Sequence, residues 1–296
     1  MNFCWVGTVR ILALAGAVWL APIGKLLAAP FLGMVVFGDS LSDTGNVPSS
    51  PPYFEGRWSN GPLYVDHLAA RLGLPAPVAS SAGGSNYARF DATTVDVAAQ
   101  TAEYLGGHVP GGDELFVIYA GANDFFSAQL DPAVPAANVA DQITALATAG
   151  ATQFLVPNLP PLGQVPAARK TIFSALLNDL TTRYNQELAT RLTGLEAGLG
   201  ITIFTLDVFA FTQQALADPA AFGLSNVTDP ALDEDTQIVV PNPEEYLFWD
   251  GAHPSATAHR ALGELAAAAV PEPFSLVLCS AGIALMAVVV RHRRNA

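Results

Sequence analysis

Between residues 30 and 270 this chain contains no cysteine; its two cysteines, Cys4 and Cys279, fall in apolar segments near the ends. A disulfide framework, a thiol nucleophile and a cysteine-ligated metal are therefore excluded from the body. A thiol-free body also tolerates an oxidising envelope. Positive charge is nearly as scarce. The same stretch holds eight of the chain's 13 Lys and Arg against 25 of its 26 Asp and Glu, which leaves it at −17. Nucleic acid finds no basic footprint on such a body, and an anionic membrane surface repels it, so membrane contact is expected only through the terminal segments. No His, Asp or Glu cluster has metal-ligand spacing and no Gly-rich loop leads into a Lys that could hold a phosphate, so no cofactor is expected. A Gly-x-Ser-x-Gly elbow is missing too, which argues against the α/β-hydrolase fold.

Long apolar runs occur only at the ends. Residues 11–24 are apolar, follow Arg10 and lead to Ala28-Ala29, which reads as a secretory signal peptide over 1–29; an uncleaved anchor is the alternative. At the far end Val270-Pro271-Glu272-Pro273 precedes 17 uncharged residues, Phe274 to Val290, and then Arg291-His292-Arg293-Arg294. Seventeen residues are at the lower limit for spanning a bilayer, with the basic cluster on the cytoplasmic side. This order resembles the PEP-CTERM sorting signals of Gram-negative bacteria and implies an exosortase-type processing enzyme as partner; a plain tail anchor is the alternative. Either way the body, residues 30–269, is expected outside the cytoplasm, with 270–296 as the sorting or anchor segment.

Within the body, short apolar runs alternate with helical patterns. Strands are expected at Leu32–Phe37, Leu115–Ala120, Thr152–Val156 and Ile201–Leu206, with a brief one at Tyr246–Trp249. Helices are expected over 62–72, 94–105, 136–149, 171–199 and 255–269. Such alternation implies one doubly wound α/β sheet with helices on both faces and no second domain. Residues 131–135 and 207–243 are Pro-rich and read as irregular, the second long enough for a lid or substrate loop. Gly38-Asp39-Ser40, Gly121-Ala122-Asn123 and Val156-Pro157-Asn158 each follow a strand, so they gather at the carboxyl edge where ligands bind in such sheets.

Ser40 on its tight turn is placed as a nucleophile must be. A serine hydroxyl needs a base to take its proton, and the base needs a partner that holds its tautomer. Trp249-Asp250-Gly251-Ala252-His253-Pro254 supplies both three residues apart. The chain's other histidines, His67, His108, His259 and His292, lack such a neighbour. The Gly38-Asp39-Ser40-Leu41 and Asp250-x-x-His253 segments together resemble the GDSL, or SGNH, hydrolases. Gly56-Arg57-Trp58-Ser59-Asn60-Gly61, Asn86-Tyr87-Ala88, Tyr119-Ala120-Gly121-Ala122-Asn123-Asp124 and Val156-Pro157-Asn158-Leu159-Pro160 follow the family's blocks in order, across roughly residues 33 to 262.

The resemblance implies a flavodoxin-like three-layer α/β/α sandwich with a mostly parallel sheet, and a serine ester hydrolase with Ser40, His253 and Asp250 as catalytic residues. It gives the oxyanion to the Ser40 N–H and the Asn123 side-chain amide. The substrate is an ester of a lipid or of an acylated carbohydrate. A lipase or esterase is the first reading, a carbohydrate O-deacetylase the second. One departure matters. Family members commonly read Asn-Tyr-Ala-x-Gly-Gly-Ala, where this chain has Asn86-Tyr87-Ala88-Arg89-Phe90-Asp91-Ala92. The Asp91 N–H can still donate, but its Cβ restricts the backbone and its carboxylate opposes an oxyanion. A binding protein that keeps the fold and has lost turnover is the rival reading. Asp43 and Asn46 are expected to brace the Ser40 loop, and the Phe125-Phe126 pair to pack in the core or meet an acyl chain.

Overall fold

The computed structural model describes residues 31–270; the leader at 1–29 and, Val270 apart, the sorting segment read from the sequence lie outside the described residues. Four parallel strands form the sheet: β1 (Gly33–Gly38), β2 (Glu114–Tyr119), β3 (Gln153–Pro157) and β4 (Thr202–Leu206), side by side in that order. Their apolar runs explain the burial. Val35, Val36 and Phe37 of β1 and Phe116, Val117 and Ile118 of β2 are all but inaccessible, as strands covered on both faces must be.

The chain also extends the sheet beyond β1. Asn86 bridges Val36 in parallel, the Val36 N–H donates to Ser85 O at 3.0 Å, and the Tyr87 N–H to Val36 O at 2.7 Å. After β1 the chain therefore lies first on one side of that strand and then crosses to β2 on the other. The winding reverses at the carboxyl end of β1, the place where open α/β sheets bind ligands.

Helices α1 (Tyr64–Arg71), α2 (Thr94–Gly107), α3 (Ala122–Phe126), α4 (Ala133–Ala149), α5 (Pro166–Arg169), α6 (Ser174–Leu199), α7 (Val208–Ala217) and α8 (Ala256–Ala269) complete the molecule. α1 packs on α8, while α4 packs on both α2 and α6, which makes two helical layers around the sheet: a three-layer α/β/α sandwich. Among the described residues no helix is long and apolar enough to cross a membrane.

Three expectations need correction. Residues 207–243 are not wholly irregular. They contain α7, β5 (Asn226–Pro230) and a small hairpin of β6 (Leu232–Asp233) and β7 (Ile238–Val239). The Asp207 carboxylate caps α7 by accepting the Ala210 N–H at 2.9 Å, and Val208, Phe211, Thr212 and Ala215 bury one helical face. The strand expected at Tyr246–Trp249, β8 (Tyr246–Phe248), pairs with β5 and not with the main sheet. Residues 131–135, read as irregular, already hold the start of α4 at Ala133, with Pro135 in its first turn, where a missing N–H costs nothing; the helix expected over 171–199 is α6, preceded by the separate short α5.

Candidate active site

The loop after β1 is set by its glycine. Gly38 has φ +148°, and a Cβ there would stand 2.2 Å from Tyr119 O, so only glycine lets the ends of β1 and β2 come this close. The buried Gln100 amide clamps the turn, with Oε1 accepting the Gly38 N–H at 2.9 Å and Nε2 donating to Gly38 O at 2.8 Å. Beyond Ser40, the Asp43 carboxylate accepts the N–H groups of Gly45, Asn46 and Val47, and also that of Phe90 at 2.9 Å. Asn46 Nδ2 donates to Asn86 O and Ala88 O at 2.7 and 2.9 Å. Asp43 and Asn46 thus tie the serine loop to the chain that carries Phe90 and Asp91.

The loop between β8 and α8 brings the second group. His253 Nε2 lies 2.9 Å from Ser40 Oγ, and Nδ1 lies 2.7 Å from Asp250 Oδ2. A carboxylate only accepts, so Nδ1 carries the proton and Nε2 offers its lone pair to the serine hydroxyl. Asp250 accepts three further donors: the N–H groups of Ala252 and His253 on Oδ1, at 2.9 and 2.7 Å, and the Tyr53 hydroxyl on Oδ2 at 2.9 Å. Burial works against its charge, but the histidine and the two backbone N–H donors hold its pKa below the usual carboxylate range. Burial likewise disfavours the His253 imidazolium, yet Asp250, with smaller help from Asp39 and Glu234, holds its pKa above the ordinary value.

Residues far away in sequence fasten this loop. Ser59 Oγ donates to Pro254 O at 2.9 Å, and Asn60 Oδ1 accepts the Ala256 N–H at 2.7 Å, so Asn60 serves the start of α8. Glu234, in the β6–β7 hairpin, accepts the Gly251 N–H at 3.0 Å. Trp58 stacks on Phe90 with ring centroids 3.7 Å apart, and both rings stand beside the His253 imidazole. Arg57 is drawn off into a two-pronged pair with Asp66.

A cavity of about 250 Å³ opens at Ser40 and His253, walled by apolar side chains that include Leu162, Val165, Val208, Phe211, Leu247 and Leu262. The Phe125-Phe126 pair divides between two roles: Phe125 is buried in the core, and Phe126 lines the cavity and is half exposed. Asn123 also lines it, and its Nδ2 donates to Ala92 O at 3.0 Å with a second hydrogen to spare. Among the described residues the backbone N–H groups of Ser40 and Asp91 have no protein acceptor. Asp91 takes φ +62°, the left-handed conformation that glycine adopts freely and aspartate tolerates. Gly83 and Gly84 do not reach the cavity wall.

Sequence reasoning passed over four participants: Tyr53, Glu234, Asp39 and His259. Asp39 is buried behind Ser40 with one N–H donor, from Leu41 at 3.0 Å, and burial pushes its carboxyl up to about 7. His259 lies in the cavity wall, where burial pushes its pKa down to about 3, so the ring is neutral, with Nδ1 accepting the Tyr64 N–H at 3.2 Å. Asp39 was visible as part of the serine motif; the other three carry no local signal.

The chain is 27% identical to a phosphatidylcholine-sterol acyltransferase of Aeromonas hydrophila over 83% of its own length and 92% of that protein's. It is 25% identical to a thermolabile hemolysin of Vibrio parahaemolyticus, over 78% of this chain and 62% of the relative. An acetylxylan esterase from Geobacillus stearothermophilus superposes with a TM-score of 0.48 at 16% identity, over 80% of this chain and 91% of that structure. The model of the GDSL-like lipase/acylhydrolase family matches residues 34–266, which is most of the chain. The chain belongs to that family and is an ester-bond hydrolase.

Proposed function

We propose that this protein is an exported serine hydrolase that cleaves esters of medium-length acyl chains through an acyl-enzyme on Ser40. The observation that carries this reading is the Asp250–His253–Ser40 chain of hydrogen bonds, 2.7 and 2.9 Å long, at the mouth of an apolar cavity. Ser40 Oγ bonds to the ester carbonyl carbon while its proton passes to His253 Nε2. Asp250 keeps Nδ1 protonated and stabilises the imidazolium. The carbonyl oxygen, now negative, takes the free N–H groups of Ser40 and Asp91 and the second Asn123 amide hydrogen. Collapse breaks the carbon–oxygen bond to the alcohol, which leaves with the proton from His253. Water, deprotonated by His253, then releases the acid and restores Ser40.

The cavity supports the acyl preference. Its 250 Å³ and its mostly apolar walls offer far more room than an acetyl group fills. The apolar run at 11–24 and the thiol-free body support export, and the Pro-Glu-Pro segment with its apolar run and basic end supports processing by an exosortase-type enzyme. The test is hydrolysis of p-nitrophenyl esters from acetyl to palmitoyl by the full chain, beside Ser40→Ala. We expect hexanoyl to decanoyl esters to turn over fastest, and the substitution to lower kcat by on the order of 10⁴–10⁶. Turnover of acetyl esters alone would shift the reading to a carbohydrate O-deacetylase. Turnover that survives loss of the Ser40 hydroxyl would overturn it.

A further inference from the structure

Most exposed large apolar side chains of this molecule stand singly on the surface, which needs no explanation. Six do not. Phe126, Leu130 and Val134 form one short segment, and Ile172, Phe173 and Leu176 another; Ile172 is 90% exposed, Leu130 61% and Phe173 57%. Both segments lie at the same edge of the sheet. In a parallel sheet the helix after a strand begins at that strand's carboxyl end and runs back. α3 and α4 follow β2, α6 follows β3, and α4 packs on α6, so their first turns share the rim on which Ser40 stands. Phe126 makes the rim continuous with the site, because it is 45% exposed and also lines the cavity. Leu162 and Val165, in the same wall, lead through α5 to Ile172.

Charge and topology choose the occupant. Neither segment contains Lys or Arg, the body carries −17, and the nearby Lys170 is paired with Asp229 at 3.4 Å. An anionic surface is therefore repelled. Phe31 precedes β1 and Val270 follows α8, so both ends leave from the amino edge, opposite the rim. An anchor at either end would hold the rim facing outward.

We propose that this apolar rim docks on a zwitterionic or uncharged lipid surface, from which the ester passes Phe126 into the cavity. The identity of what enters rests on the acyl-ester reading; the docking does not. Binding of this kind scales with the apolar area inserted, without the electrostatic help that basic interfacial helices receive.

The experiment uses the full chain with Phe173→Trp at the rim and, separately, Val109→Trp, which is 86% exposed just after α2 at the amino edge. Each is mixed with vesicles of brominated phosphatidylcholine. The expected result is bromine quenching of the added tryptophan at 173 at least about twofold greater than at 109. Ile172→Asp with Phe173→Asp should lower partition into phosphatidylcholine vesicles about tenfold while leaving hydrolysis of a dissolved butyryl ester within about twofold. Greater quenching at 109, or unchanged partition of the double variant, overturns the proposal. So does tighter binding of the parent to phosphatidylglycerol, or a parent dimer that the double variant dissociates, which would make the rim a contact between copies. Quenching at 173 in a chain that hydrolyses no ester leaves the docking standing and removes the acyl-ester reading.

Discussion

Two buried aspartates flank the same hydroxyl–imidazole pair and behave in opposite ways. Asp39 sits behind Ser40 at 1% exposure and Asp250 behind His253 at 2%, so desolvation acts on both. Asp250 accepts four hydrogen bonds, one of them from an imidazole, and stays ionised. Asp39 accepts one, from Leu41, and its carboxyl is pushed up to about 7 by burial. Burial does not decide the charge of a buried acid; the number and sign of the donors aimed at it do. The loop of Asp250 and His253 is built to keep a charge, whereas the Ser40 loop holds a carboxyl that burial pushes toward its neutral form.

The largest effect should separate their chemical roles. Asp250→Asn should lower kcat/KM by about 10⁴, because an amide cannot hold Nδ1–H in the same way. Asp39→Asn should stay within about tenfold of the parent on the same ester. Equal losses in steady-state kinetics would break the distinction.

The next effect is on stability. The folded Asp39 binds its proton more tightly than the unfolded chain, whose carboxyl titrates near 3.8. Its contribution is therefore complete below about pH 4, is lost as pH rises to about 7, and amounts to at most about 4 kcal/mol. Asp39→Asn keeps the Leu41 hydrogen bond without the charge, so urea midpoints should match the parent at pH 4 and exceed it at pH 8. A gap that does not widen with pH would refute the raised carboxyl.

A third aspartate offers a smaller contrast. Asp91 is exposed, and its left-handed backbone costs about 1 kcal/mol relative to glycine. Asp91→Gly should raise the unfolding free energy by about that amount and raise kcat a few-fold, since the N–H stays while a like charge leaves the oxyanion. A rise of several hundredfold would mean that the native site is crippled.

The smallest effects are opposite shifts in the acid limb of the kcat/KM–pH profile, which follows His253 losing its proton as pH rises. Tyr53→Phe removes a donor from Asp250, so the carboxylate favours the imidazolium more strongly and the limb moves to higher pH. Asp39→Asn removes a carboxylate that supports the imidazolium, so the limb moves to lower pH. Shifts in the same direction would remove the contrast between the loops.

Much of this is legible in the sequence. The main strands stand out as apolar runs because both their faces are covered, and the residues after them carry Ser40 and Asn123. Asp250 and His253 are close in sequence, and a serine motif upstream calls for such a pair. The strand contact at residues 85–87 left no trace, since Ser85-Asn86-Tyr87 has no apolar pattern and is held by Val36. α7 was hidden by the prolines around it, though Val208, Phe211, Thr212 and Ala215 keep a helical spacing.

The sequence by itself determined the alternation of strand and helix, the thiol-free acidic body and the chemical groups of the site, because these depend on residue type and local period. Only the tertiary structure decided that Tyr53 and Glu234 hold the Asp250 loop, that Asn60 serves α8 across the fold, and that Phe126 reaches the cavity while Phe125 does not. Those contacts join residues as far apart as 53 and 250, and no local pattern encodes a pairing that only chain closure creates.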